Sequence, residues 1–259
     1  MLLRMREPQR GQHQGQPKSI GVNAFIADFK LESINIPGSV EVIDNFAFRS
    51  CTSLKKLTLG EGIKRINRGA FEYCESLESV VIPDSVEQLG EDAFSYCSSL
   101  NEVYIGSGVT TLQLYCFSES ASLRHLTIGK NISEIREYSF SAFNIGEDTI
   151  VFCYEGTAGE EYVKNKGLTL VGSVKQGDDV KLIYTRAGAE IHYGDINSDG
   201  VINTEDVGRL QQIAAGWNIK VYDFAAADVN GDGVINSEDI SLLQQYISGW
   251  SVTLGKVNA

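Results

Sequence analysis

The chain has 259 residues, a formal net charge of −12, and 42% apolar and 9% aromatic residues. That is enough apolar material for one large domain and a small one, and the acidic balance argues against nucleic acid as a partner. No apolar run approaches the roughly 20 residues that a bilayer-spanning helix needs, so no membrane span is expected.

Residues 1–19 are rich in Gln, Arg and Gly and hold only the pair Leu2 and Leu3 near their start, too little for the apolar region of a secretory signal. They are expected to be a disordered tail or an artificial leader. From Ile20 the chain repeats with a period of 23. Leu31, Leu54, Leu77, Leu100 and Leu123 each open a Leu-x-x-apolar-x-apolar strand, and Pro37, Gly60, Pro83, Gly106 and Gly129 end it. Next come apolar pairs three apart (Val40 and Ile43, Ile63 and Ile66, Val86 and Leu89, Val109 and Leu112, Ile132 and Ile135). A small residue followed by Phe then closes the unit: Ala47-Phe48, Ala70-Phe71, Ala93-Phe94, Cys116-Phe117 and Ser139-Phe140. Ile20 and Ala24-Phe25 fit the second half of a preceding unit. One such coil cannot bury these side chains alone, whereas stacked coils can.

Cys51, Cys74 and Cys97 share one repeat position, which later units fill with Ser120 and Phe143. Equal spacing predicts a stack of structural thiols down the interior. Cys116 sits at another repeat position and Cys153 lies beyond the repeats, and no Cys-x-x-Cys spacing suggests a metal site.

This pattern resembles the leucine-rich repeats of bacterial surface proteins over about residues 20–145. Tyr154-Glu-Gly-Thr-Ala-Gly-Glu-Glu-Tyr162-Val-Lys-Asn-Lys-Gly167-Leu-Thr-Leu looks like that family's C-terminal closing segment. The resemblance implies a solenoid with a parallel sheet on one face, expected over residues 20–172 with its cap. Asn35, Thr58, Val81, Tyr104 and Thr127 align as an outward row on the strands, beside Lys55, Lys56, Arg124 and His125. Solenoids commonly bind on such a face, but an ordinary solvated ladder fits the row as well, and no ligand residues are assigned there.

Residues 173–192 lack the Pro and Thr richness of an extended spacer. They are expected to be a short linker, partly packed on the solenoid, with Val180 to Tyr184 as an edge strand.

Two twelve-residue loops follow, 33 residues apart: Asp195-Ile-Asn197-Ser-Asp199-Gly200-Val201-Ile-Asn203-Thr204-Glu205-Asp206 and Asp228-Val-Asn230-Gly-Asp232-Gly233-Val234-Ile-Asn236-Ser237-Glu238-Asp239. Side-chain oxygens fall at loop positions 1, 3, 5, 9 and 12, with glycine at the sharp turn of position 6 and a backbone carbonyl at position 7. Hard oxygen donors at that spacing suit calcium. The expected ligands are Asp195, Asn197, Asp199, Val201, Asn203 and Asp206 for one ion and Asp228, Asn230, Asp232, Val234, Asn236 and Asp239 for a second. An ordinary EF-hand has Glu at position 12 and a helix entering the loop. Here position 12 is Asp, residues 186–194 make a poor helix, and a near-identical helix follows each loop: Leu210-Gln211-Gln212-Ile213 matches Leu243-Gln244-Gln245-Tyr246, ending at Gly216-Trp217 and Gly249-Trp250.

This duplicated loop-helix unit, with Tyr222-Asp-Phe-Ala-Ala-Ala between the copies, resembles the type I dockerins of cellulosomes over residues 193–252; residues 253–259 are left as a tail. The resemblance implies a small all-α calcium-binding domain that binds a cohesin module on a scaffoldin. Its partner-reading positions fall here on Thr204, Glu205, Arg209, Gln211, Gln212, Ser237, Glu238, Gln244 and Gln245. Many family members carry Ser or Thr at both loop positions 10 and 11, so Glu205 and Glu238 leave the cohesin type open.

The chain shows no Gly-x-Ser-x-Gly elbow, no His-Glu-x-x-His and no phosphate loop, and its three histidines are His13, His125 and His192. Composition leaves open a Cys153 and His192 nucleophile pair and a glycosidase pair among the 34 acids, although the repeats occupy the length that a glycosidase barrel or sandwich would need. The expected fold class is therefore α+β, a leucine-rich-repeat solenoid followed by a dockerin. The expected function is that of a non-catalytic, secreted, extracellular cellulosomal component, its repeats binding another protein or a surface. The alternative is a fragment of a cellulosomal hydrolase active in polysaccharide degradation, its catalytic module outside this chain.

Overall fold

A computed structural model describes residues 18–120, 123–140, 149–176, 179–186, 191–197, 199–215 and 224–255. Residues 1–17 of the tail expected over 1–19, Phe143 of the cysteine column, Trp217, the Tyr222 and Asp223 of the inter-copy phrase, and residues 256–259 lie outside the described residues. Two compact units result: Met1–Leu123 with Gly129–Gly146, and Arg124–Ile128 with Glu147–Ala259.

The first unit is a parallel-sheet β-solenoid, the fold that the 23-residue period predicts. Its repeats alternate a short strand with a longer one: β1 (Ser19–Ile20), β2 (Ser33–Ile36), β3 (Val42–Ile43), β4 (Lys56–Leu59), β5 (Arg65–Ile66), β6 (Ser79–Ile82), β7 (Gln88–Leu89), β8 (Glu102–Ile105), β9 (Thr111–Leu112), β10 (His125–Thr127, in the second unit) and β11 (Glu134–Ile135). Pairing runs at the repeat length, with Ser33 opposite Lys56 and Ser79 opposite Glu102 in the long strands and Val42 opposite Arg65, then Arg65 opposite Gln88, in the short ones. Such a register turns the same repeat position inward every time. Leu54, Leu77 and Leu100 are fully buried, as are Val103, Ile105 and the short-strand residues Ile43 and Ile66.

The small-Phe element turns the corner by alternating two hydrogen-bond habits. The N–H groups of Phe46, Phe48 and Ser50 donate to Arg68, Ala70 and Glu72 of the next coil, while those of Ala47, Arg49 and Cys51 donate back three residues to Asp44, Phe46 and Phe48. Two residues per coil take left-handed backbone to do this, for example Phe46 and Ser50 at φ 58° and 60° and Asp92 and Tyr96 at 56° and 58°. That conformation costs on the order of 1 kcal/mol per non-glycine residue and persists only where its surroundings over-determine it; here the bonds to the next coil do so. Side chains reinforce the stack. Phe25, Phe48, Phe71, Phe94, Phe117 and Phe140 form a continuous column with ring centroids 4.9–5.5 Å apart. Cys51, Cys74 and Cys97 stand in the interior as expected, free thiols whose S–H groups donate to the carbonyls of Phe25, Phe48 and Phe71.

In the second unit β10 pairs in parallel with β12 (Ile150–Tyr154). Helix α1 (Ala158–Asn165) follows, started by the Thr157 hydroxyl, which accepts from the Glu160 N–H at 3.4 Å. A Cβ on Gly159 would stand 2.9 Å from the Ile128 side chain, so only glycine lets the helix lie this close to the cap. Next come β13 (Thr169–Gln176) and β14 (Asp179–Thr185), with β14 antiparallel to both β13 and β12.

Two expectations are corrected here. Much of the stretch taken as linker, residues 173–192, is a paired hairpin, and Val180 to Tyr184 is no edge strand because β14 has a partner on each side. Its Leu182, Ile183 and Tyr184 are buried. The outward row also changes character along its length: Asn35 and Thr58 are exposed, Val81 and Tyr104 half-buried, and Thr127 only 1% exposed. Thr127 lies opposite the buried Phe152 of β12, so the row ends under packed side chains rather than in solvent.

Phe71→Ala, which opens a void between two stacked rings, is expected to lower the stability of the solenoid by about 3–5 kcal/mol. Tyr96→Ala, at a 44% exposed position stacked on Tyr73 alone, is expected to cost under about 1.5 kcal/mol. Urea unfolding read by far-ultraviolet circular dichroism checks both; equal losses would show that the column is not the interior support. Burial also pushes the Cys51 thiol up to about 11 and the Cys97 thiol to about 12, so the native chain should resist iodoacetamide at pH 8 at Cys51, Cys74 and Cys97 and react at each once unfolded, as peptide mass mapping would reveal.

Candidate metal and docking site

The twelve-residue loops open into helices α2 (Thr204–Ala214) and α4 (Ser237–Ile247), with a short helix α3 (Phe224–Ala227) between the two units. Each long helix begins with the same capping box. Asn203 and Asn236 accept from the N–H of Glu205 and Glu238, while Asp206 and Asp239 reach back to accept from the N–H of Asn203 and Asn236. Loop position 12 thus closes the loop and starts the helix at once. Apolar residues at helical spacing then turn inward: Val207, Leu210 and Ile213 on α2, and Leu243 on α4. The four-residue α3 was not anticipated; its signal, the run Phe224-Ala-Ala-Ala227, is short but has strong helix formers.

Inside the loops the bonds described in both copies match in pairs. The carboxylate of Asp195 accepts from the N–H groups of Asp199 and Gly200 at 3.0 and 2.9 Å, and that of Asp228 accepts from Asp232 and Gly233 at 3.1 and 2.9 Å. Asn197 and Asn230 donate their amide nitrogens to Asp199 and Asp232 at 2.8 and 3.0 Å. The carboxylates of Asp199 and Asp232 accept from Val201 and Val234, both at 2.8 Å. Asp206 and Asp239 cross the loop to the N–H groups of Asn197 and Asn230 at 3.2 and 3.1 Å. Gly200 and Gly233, at position 6, have φ of 84° and 85°, a left-handed turn that glycine makes without strain.

The electrostatics of this arrangement are lopsided. Asp195, Asp206, Asp228 and Asp239 are buried, Asp206 and Asp239 completely. The ion pairs among the described residues all lie elsewhere, so no basic side chain there neutralises any of the four. Burial is the main force pushing the Asp228 carboxyl above the usual range, opposed by the Gly233 N–H and assisted by the charges of Asp239 and Asp232. Asp239 is raised the same way, by burial first and by Asp232 as well, against the N–H groups of Asn236 and Asn230. A buried carboxylate with like charges around it and no cationic partner is unfavourable. Among the described residues no three His, Cys, Asp or Glu side chains converge as a carboxylate-type metal cluster; the loops combine carboxylates with carboxamides and carbonyls instead.

The positions expected to read a partner are on the surface in both copies. Thr204, Glu205, Arg209 and Gln211 are exposed, as are Ser237, Glu238 and Gln244, while Gln212 and Gln245 are half-buried. The Cys153 and His192 pair has no catalytic form: Cys153 is fully buried in β12 and burial pushes its thiol up to about 12, the opposite of a reactive thiolate. His192 instead lines an open groove with Val171, Tyr193 and Tyr246. Among the described residues no helix is long and apolar enough to cross a membrane.

Comparison with known proteins agrees with this division. A family model described as the BspA type leucine-rich repeat region matches six copies over residues 18–145, and the model of the type I dockerin domain matches residues 193–248. No curated protein matches the chain. Among solved structures, a leucine-rich repeat protein from Bacteroides ovatus is 29% identical over 48% of this chain, with a TM-score of 0.38, and the match spans 38% of that protein's length. A leucine-rich repeat protein of T. pallidum is 26% identical, covering 57% of this chain and 76% of the other at a TM-score of 0.43. A leucine-rich cell surface protein from Faecalibacterium prausnitzii is 24% identical over 57% of this chain and 48% of the other, with a TM-score of 0.41. Type I dockerin domains bind calcium, and neither matched module is catalytic. Residues 18–145 thus match the BspA type leucine-rich repeat region and residues 193–248 the type I dockerin domain.

Proposed function

We propose that this chain is a non-catalytic, secreted component of a cellulosome, attached through its dockerin to a cohesin on a scaffoldin while its repeats bind another protein or a surface. The observation that carries the reading is the pair of loops, matched in the internal bonds described in both, each enclosing two buried carboxylates without a basic partner and each followed by a helix with the same exposed positions. Two calcium ions supply the missing charge. Their ligands are the oxygens of Asp195, Asn197, Asp199, Val201, Asn203 and Asp206, and of Asp228, Asn230, Asp232, Val234, Asn236 and Asp239. An all-oxygen donor set of mixed carboxylate, carboxamide and carbonyl groups suits calcium over softer metals.

Cohesin contact then falls to Thr204, Glu205, Arg209, Gln211 and Gln212 in one copy and Ser237, Glu238, Gln244 and Gln245 in the other. Because the copies are near-equivalent, a half turn presents a similar surface, and one cohesin can engage in either of two orientations. Arg209 against Leu242 and Ile213 against Tyr246 are among the places where the copies differ.

Two outcomes follow from the reading. Chelation should abolish cohesin binding and melt the helical signal of α2 and α4, since metal affinity is here part of the folding free energy; circular dichroism and a pull-down in chelator measure both, and full retention of either contradicts the calcium assignment. Replacing Thr204, Glu205 and Gln211 together, or Ser237, Glu238 and Gln244 together, should weaken cohesin binding in calorimetry by only about a factor of two if the orientations are equal in strength, whereas replacing all six should eliminate it. Loss of binding from one triple alone, with the other silent, would mean that a single orientation is used.

A further inference from the structure

The two loops agree internally but not in what surrounds them. Nothing lies within 4 Å of where a Cβ on Gly200 would stand, whereas one on Gly233 would meet the Ser173 carbonyl oxygen at 3.1 Å. Next to it, the Lys175 N–H of β13 donates to the Gly233 carbonyl at 2.9 Å, and Lys175 forms a parallel bridge with Val234. Val234, at loop position 7, is 43% exposed against 58% for its counterpart Val201. The second loop therefore lies as a one-bridge extension along β13, on the side away from β14. Beneath this contact, Phe152 of β12 and Ile183 of β14 share one apolar core with Leu210, Ile213, Val229 and Leu243 of the dockerin.

We propose that β13 and the second loop form a calcium-linked clamp: cation binding in the second loop and seating of the dockerin on the cap hairpin stabilise each other, and the first loop stands outside this coupling. The proposal rests on the reading that the loops take calcium. Its physical basis is pre-organisation. The bridge fixes the backbone of Gly233 and of Val234, whose own carbonyl is the position-7 ligand, so less conformational entropy is lost when the cation binds. A bound cation in turn holds the Gly233 carbonyl where the Lys175 N–H needs it, and the two effects are equal by linkage. The consequence is an ordered pair of sites, with the second loop filling before the first although their ligand sequences are equivalent.

Hydrogen exchange of the full chain, read at the Lys175 amide, tests this together with calcium titration by calorimetry. Calcium is expected to slow exchange at Lys175 by about fivefold, the factor that linkage makes common to both directions. That slowing should survive in Asp195→Asn/Asp199→Asn and vanish in Asp228→Asn/Asp232→Asn. In the reverse direction, Lys175→Pro, which removes the donor, should weaken calcium at one of the two sites by about fivefold, the equivalent of one net hydrogen bond. Two sites filled in calorimetry with Lys175 exchange unmoved by calcium, or moved equally by both loop variants, would overturn the clamp while leaving the calcium reading intact. If no calcium binds at all, the calcium reading falls and the clamp falls with it. The two loop variants need no change in β13, so a misfolded Lys175→Pro chain does not spoil the test.

Discussion

Phe48, Phe71, Phe94 and Phe117 are each buried between the ring 23 residues before and the ring 23 residues after. Everything in the solenoid follows from that. The period fixes the strand register, the register sends the leucines inward, and the inward positions leave a column just wide enough for Cys51, Cys74 and Cys97, whose S–H groups find carbonyls of the preceding coil. Left-handed backbone at two places per coil is unfavourable in isolation, and the stacked neighbours over-determine it. Stability in such a stack is a sum over neighbours, so the C-terminal end needs closing.

Strand β12 is buried on both faces: Val151 and Cys153 alternate with Ile150 and Phe152, and the latter two belong to the core that also holds the inner residues of α2 and α4. The dockerin is accordingly packed on the cap hairpin rather than tethered to it. Its cation loops are the other half of the account. Four buried carboxylates, satisfied by amide N–H groups but not neutralised by any described basic side chain, leave a charge that a divalent cation balances. The first half of the chain is held together by apolar stacking. In the proposed reading the second half depends on charge neutralisation.

Much of this was legible in the residues. The 23-residue period gave the strands, the turns and the interior thiols because a repeated constraint is written five times over. The loops were legible because oxygen donors at fixed spacing occur twice with glycine at the same place. The hairpin β13 and β14 was not, since it occurs once, lies outside the period, and mixes Ser173 and Lys175 with its apolar residues; its reading as a linker reflected the absence of a second copy to compare. The burial of Thr127 was equally out of reach, for it depends on Phe152 and the packing beyond it. The stacked tyrosine pairs Tyr73 with Tyr96 and Tyr115 with Tyr138 did carry a signal, their spacing of 23, but attention to the strand row alone passes over them.

The central claim is that each loop is completed by one calcium ion, and counting ions on the intact chain tests it most directly. Native mass spectrometry of the full chain after dialysis against calcium should give a mass increase of two calcium ions, falling to one in Asp206→Ala or Asp239→Ala and to none when both are replaced. A chain that carries no calcium under these conditions, or that keeps two ions when both aspartates are gone, would contradict the account.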